Sequence, residues 1–266
     1  MGVCALLWAL VLLALSVFWY KANYRGYFGF FNDSAEWLQM DKAIHSFAAF
    51  QMSRFFIQIL IWQGVEEEQA KRIGVWSGVF FVSPIEILDG VSQGYGFSWF
   101  DILANVAGSA FLWIQFKLFG LVKFMPKFSF SPTDFSGMRK EMLGSSFISQ
   151  FFKDYNGQTY WICFSPNELL RKPIFPTWLN IAIGYGGENL LGGHDNVWKQ
   201  EGKDFDLSHL QRYRQFYLSL DVNFQGFSDD RPWKKGLKFA LSCVKFPFPS
   251  IVYSTEKGLY INWLSF

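Results

Sequence analysis

Eighteen consecutive residues, Val3 to Tyr20, carry no charge. A run of that length is about what an α-helix needs to cross a bilayer. It lacks the basic flank of a secretory signal, although Ala14-Leu15-Ser16 offers a cleavage site. Cys4, with only Met-Gly-Val before it, does not read as a lipoprotein cysteine.

Three further stretches, Met40 to Trp62, Glu67 to Val91 and Ser98 to Phe119, are long and apolar enough for helices. The connections, residues 63–66 and 92–97, are short, which forces consecutive helices to run antiparallel. Gly74, Ser77, Gly78, Ala104, Ala107, Gly108, Ser109 and Ala110 are small residues of the kind that let membrane helices approach. The predicted architecture is a mainly α N-terminal half, a four-helix membrane bundle over residues 1–120. A soluble buried bundle is the alternative, because the second helix holds Lys42, His45, Gln51, Arg54 and Gln58. Against it, Phe55 to Trp62 is apolar nearly all round, as in lipid or a deep core.

Composition agrees. Charged residues make up 17% and aromatic residues 21% of the chain, where a soluble domain carries about 25% charged residues. Aromatic rings are favoured at the membrane–water interface. A net charge of +2 with no basic, aromatic-interleaved tract excludes nucleic acid as a partner. Cys4, Cys163 and Cys243 have no metal-ligand spacing.

Residues 121–266 read differently, as an irregular α+β region with a β-hairpin. Eight of the nine prolines fall between Pro126 and Pro249. Phe216, Leu218, Leu220, Val222 and Phe224 alternate with polar neighbours, which predicts a half-buried strand. Ser250 to Ser254 and Leu259 to Leu264 flank Thr255-Glu256-Lys257-Gly258 as a hairpin. One such strand and one hairpin fall short of the eight strands a transmembrane barrel needs. Trp233, Leu237, Ala240, Leu241 and Val244 share a helical face with Lys234, Lys235 and Lys238 off it; such a helix either lies on a membrane or covers a sheet. Gly184 to Asn189 reads as a turn, lacking the Lys-Ser/Thr of a phosphate loop.

The residues that could carry chemistry converge by topology. Asp41 and His45 lie one turn apart at the start of the second helix, Glu86 and Asp89 at the end of the third, and Asp101 and Asn105 at the start of the fourth. All occupy one end of an antiparallel bundle, together with Lys42. His45, Glu86 and Asp101 are the candidate catalytic residues for acid–base work; Asp41, Lys42, Asp89 and Asn105 are candidate binding residues. No cofactor and no dedicated metal site is predicted, although a hard divalent cation suits such a carboxylate and histidine set. Helix capping explains Asp41 and Asp101 equally well. It does not explain His45, Glu86 or Asn105, each placed about one turn inside its helix.

Asp41-Lys42-x-x-His45, Glu86-x-x-Asp89 and Gly94-Tyr95-Gly96-Phe97-Ser98-Trp99-Phe100-Asp101-x-x-x-Asn105-x-x-Gly108 together resemble the YfiM-like family of predicted periplasmic or outer-envelope lipoproteins of unknown function. The C-terminal half is similar to the longer Bacteroidota versions in Lys153 to Trp161, Trp178-Leu179-Asn180 and Tyr217 to Asp221. More distantly the chain resembles the VanZ-like membrane proteins, with Asp89 where those tend to have Gln. The resemblance implies a bacterial cell-envelope location, inner or outer membrane unassigned. It also implies the lipid bilayer, envelope lipid or peptidoglycan precursors, and other envelope proteins as partners. Two functions follow. One is a structural or interaction component of the envelope. The other is an envelope enzyme or binding protein acting on a lipid or glycan headgroup through His45, Glu86 and Asp101.

Overall fold

The structure, a computed structural model, describes residues 26–93, 95–227 and 231–265. The apolar run from Val3 to Tyr20, with Cys4 and Ala14 to Ser16, lies outside the described residues. The chain divides into two compact units, Met1–Ser34 with Lys42–Leu118, and Ala35–Asp41 with Phe119–Phe266. Helices fill the N-terminal half and an antiparallel sheet dominates the C-terminal region.

The helical unit is built on α1 (Met40–Trp62) and α5 (Trp99–Phe119). Among the described residues these are the two helices long and apolar enough to cross a membrane. The third predicted helix is not one helix. It breaks into α2 (Glu67–Gly74), α3 (Ser77–Val82) and α4 (Pro84–Gly90), with a 42° bend at the first break. The described residues therefore hold two clear spans, and the bent run would count as a third only if taken whole.

The break has a physical cause in the neighbouring helix. Ser53 on α1 donates its hydroxyl to the Val75 carbonyl at 2.7 Å and accepts from the Gly78 N–H at 2.9 Å. These are backbone groups that a continuous helix would have satisfied itself. The second break falls at Pro84, which has no N–H to continue the ladder. Close approach needs glycine: a Cβ on Gly78 would lie 1.9 Å from the Ala49 carbonyl oxygen, and one on Gly108 would lie 2.0 Å from that of Ser46. Contacts from Ala49 to Gly78 and from Ile57 to Gly74 run in opposite chain directions, so α1 is antiparallel to the broken run. Ser46 with Ala104 and Ser53 with Ser109 run in the same direction, so α1 and α5 are parallel.

The second unit holds a six-stranded sheet in the order β1 (Phe124–Phe130), β2 (Gln158–Phe164), β3 (Leu179–Glu188), β6 (Tyr213–Val222), β7 (Phe248–Ser254), β8 (Gly258–Ser265). Every neighbouring pair is antiparallel. A separate hairpin, β4 (Val197–Gln200) and β5 (Lys203–Asp206), is inserted between β3 and β6. Short helices α6 to α8 (Phe135–Met138, Lys140–Leu143, Phe147–Lys153) follow β1, α9 (Pro166–Leu170) follows β2, and α10 (Pro232–Leu241) precedes β7. The outer edge of β1 is covered, since Phe128 exchanges backbone hydrogen bonds with Cys243 and Lys245.

The sheet corrects one expectation and adds the facing to another. Gly184 to Glu188 is not a turn but the end of β3. Gly184 lies across from Trp161, and a Cβ there would fall 2.6 Å from the indole, so the glycine makes room for the ring. The alternating strand β6 is half-buried with the opposite face inward. Phe216, Leu218 and Leu220 are exposed, whereas Gln215, Ser219 and Asp221 are buried.

That buried polar side is internally bonded. Lys127 Nζ lies 2.6 Å from Asp221 Oδ2 and donates to the Val222 carbonyl at 3.0 Å. Trp161 Nε1 donates to Ser129 Oγ at 2.8 Å. The Lys245 ammonium sits 4.5 Å over the Trp161 ring and donates to the Phe246 carbonyl at 2.9 Å. Burial pushes the Lys245 amine down to about 8, against the opposing pull of Asp221.

Two predictions follow from this packing. Gly78→Ala or Gly108→Ala should force helices apart and cost about 1–3 kcal/mol, read as a lower melting midpoint by circular dichroism of the detergent-solubilised chain. The second concerns Lys245. Below pH 8 both folded and unfolded states hold its proton. Above pH 8 the folded state releases it first, so the unfolded state binds more protons and stability rises with pH. Denaturation should show that rise from pH 8 up to about 10, where tyrosine ionisation in the unfolded chain reverses it. Lys245→Met should remove the slope.

Candidate functional site

The site forms where the segment before α1 meets the starts of α1, α4 and α5. Ser98 caps α5, accepting from the Phe100 and Asp101 N–H groups at 3.1 Å each. Its hydroxyl also donates to Asp33 Oδ1 at 2.5 Å, which ties the incoming segment to the helix start. Asp101 stands at the acidic position of a capping box, yet its carboxylate turns to Lys42. The Lys42 ammonium lies 2.5 Å from Asp101 Oδ1 and 2.7 Å from Asp33 Oδ2.

One turn along α1, His45 Nδ1 contacts Asn105 Oδ1 at 3.2 Å. Asn105 Nδ2 in turn donates to Ser83 Oγ at 3.3 Å, a hydroxyl exposed to the site by the break between α3 and α4. The other ring nitrogen, His45 Nε2, lies 3.5 Å from Glu86 Oε1 and 3.8 Å from Asp101 Oδ1. Glu86, Asp101, Asn105, Asp33 and Ser98 are all buried, whereas Lys42 and His45 keep about 14% of their side chains exposed.

The structure thus brings together His45, Glu86, Asp101, Lys42 and Asn105. Asp41, one turn before His45, accepts a hydrogen bond from the Tyr155 hydroxyl at 2.7 Å. Asp89 sits half-buried one turn after Glu86 on α4. Glu86 itself lies in the first turn of a short helix, not near the end of a long one, because the run breaks at Pro84. Lys42 is turned inward, onto Asp33 and Asp101.

Two members were not legible as site residues. Asp33 reads as part of an Asn-Asp-Ser turn, and no helical period links it to Lys42. Ser83 reads only as the residue before a proline. The turn signal at residues 32–34 marked the right place for Asp33 without its partner.

Electrostatics limit what the cluster can do. Burial opposes ionisation of Asp33. Contacts with the Asp101 carboxyl, Lys42 and Ser98, and the Lys42 charge, outweigh it and hold the Asp33 carboxyl below its usual value. Three carboxylates face one lysine and one histidine, so acid exceeds base even with His45 protonated. Such a set offers the carboxylate oxygens that a hard divalent cation takes. The Lys42 ammonium already occupies Asp101 Oδ1, and a metal would have to share that oxygen.

Because the folded pKa of Asp33 is depressed, its contribution to stability is complete above the unfolded value of about 3.9 and is lost as pH falls below it. An acid titration of the folded chain should show that loss beginning near pH 4. Asp33→Asn should flatten it and lower stability at neutral pH.

Residues 28–117, which contain the whole cluster, match a family described as predicted periplasmic lipoprotein (DUF2279). No match was found among curated proteins or among solved structures. The family description does not name the YfiM-like or VanZ-like proteins, and a lipoprotein is anchored by lipid instead of by spanning helices. Over about a third of its length, then, this chain is similar to a family of the cell envelope.

Proposed function

We propose that this is a structural or interaction component of the bacterial cell envelope. In this reading its helical unit sits in the bilayer and its polar cluster locks the starts of the helices together. The observation that carries it is the Lys42 ammonium held between Asp33 and Asp101 with little exposure on any of the three. Two carboxylates on one ammonium, backed by the Ser98 cap, leave little room for a reacting group. Burying such charges is costly unless they are paired, and removing one partner of a buried pair costs about 3–5 kcal/mol.

The bilayer reading rests on side chains that α1 and α5 leave uncovered. Phe55, Trp62, Leu103, Trp113, Ile114 and Leu118 are all more than 40% exposed. A helix whose apolar side chains point outward as well as inward is at home in lipid.

The test is a mutant cycle in the detergent-solubilised full chain. Lys42→Met alone should cost about 3–5 kcal/mol. Neutralising all three partners, as K42M with D33N and D101N, should recover much of that loss, because the effects of paired groups do not add. A Lys42→Met chain as stable as the parent would sink the lock.

A second reading has one observation in its favour. His45 Nε2 lies between two carboxylates and the cluster is rich in acid. In the manner of a VanZ-like protein, His45, Glu86 and Asp101 would then engage a cationic or hydrogen-bond-donating headgroup of an envelope lipid or peptidoglycan precursor. Glu86→Gln would abolish headgroup binding, read with phosphatidylethanolamine as the probe, while the melting midpoint stays close to that of the parent.

A further inference from the structure

We propose that the C-terminal sheet rests its exposed apolar face in the acyl chains of an anionic bilayer leaflet. The inference stands on the second unit alone and does not rest on the helical lock.

A sheet in water turns its apolar side chains to the core. This one also turns a whole apolar face outward. Along one cross-strand row Ile183, Leu218, Ile251 and Ile261 are successive partners on β3, β6, β7 and β8. All four are close to half exposed or more. The next row, Tyr185, Phe216, Tyr253 and Leu259, ends in side chains 43%, 54% and 73% exposed. Trp263 on β8 is 76% exposed. The opposite face is buried and mixed: Ser250 pairs with Ser219 and Ser254 with Gln215, and between them Tyr217 pairs with the buried Val252, beside the apolar cluster of Trp161, Cys163 and Ala182. Gln215 donates to Glu188 and Tyr260 at 2.8 and 2.9 Å. Apolar side chains turned outward along every second position are the pattern of β-structure that faces lipid. A contiguous apolar patch of this extent on a protein surface marks an interaction site.

Charge chooses the occupant. Between Asp230 and Lys245 the chain carries Arg231, Lys234, Lys235 and Lys238 and no acid. All four belong to α10 or its cap, where Trp233 and Leu237 are exposed beside them. The helix therefore does not spend its apolar face covering the sheet. A basic helix with exposed Trp and Leu fits an anionic headgroup layer. One packed helix is too narrow to be the cover. The strands from β3 to β8 span about 14 Å between their outer axes at ~4.8 Å spacing, against about 10 Å for a helix.

The experiment uses the full chain in vesicles of phosphatidylethanolamine and phosphatidylglycerol. A membrane-partitioning diazirine is photolysed and the labelled peptides are mapped by mass spectrometry. Label is expected on β6, β7 and β8, with the β4–β5 hairpin unlabelled. The rings of Tyr253 and Trp263 should resist hydroxyl-radical oxidation in the same vesicles. Ile251→Lys with Ile261→Lys should lose the label from β7 and β8. If Tyr253 and Trp263 oxidise as exposed rings do, the inference fails. Rings protected from radicals yet unlabelled by diazirine would mean a protein cover, a second copy or another segment, and would also overturn it. Label on α1 and α5 without label on the sheet refutes this inference and leaves the bilayer placement of the helices standing. Equal labelling in phosphatidylcholine vesicles would strike out the part assigned to the lysines.

Discussion

An ammonium group buried among carboxylates is tolerable only while the pairing is complete, and much of the helical unit is arranged to keep it so. Lys42 reaches Asp33 and Asp101 because Ser98 holds Asp33 against the start of α5 while capping that helix. His45 extends the same set of contacts one turn deeper, to Asn105 on α5 and Glu86 on α4. The glycines on α3 and α5 then let the backbones approach to the distance these short polar side chains need. Each arrangement depends on the others. A wider helix separation would strand the charges, and a missing charge would remove the reason for the close approach.

The two long helices were legible because their apolar runs are longer than a strand or a short core helix would use, and Trp99–Phe119 falls within a residue of its expected start. The converging end of the bundle was legible for a similar reason, since loop length alone sets helix direction. The broken helix was not legible. Its cause, Ser53, lies more than twenty residues away on another element, and no local pattern announces that a distant hydroxyl will take over two backbone groups. Asp33 escaped notice because it reaches Lys42 through a non-periodic turn.

In the second unit, period-two alternation located β6 and the β7–β8 hairpin but could not say which side is inside. Phe216 and Leu218 look core-facing by composition, and only the pairing of Gln215, Ser219 and Asp221 with buried neighbours shows otherwise. The glycines of β3 misled for a related reason. Glycine usually signals a bend, but here Gly184 stands where an indole crosses the sheet.

The bend between α2 and α3 also bears on the order in which the chain acquires its shape. Ser53 is made before Val75 and Gly78 during synthesis, so the hydroxyl is already in place when the interrupted backbone emerges. The unsatisfied carbonyl and N–H need never wait in an apolar surrounding. A rearranged gene that encoded residues 67–90 ahead of α1 would reverse that order. The orphaned groups would then have to form a straight helix first and break it later.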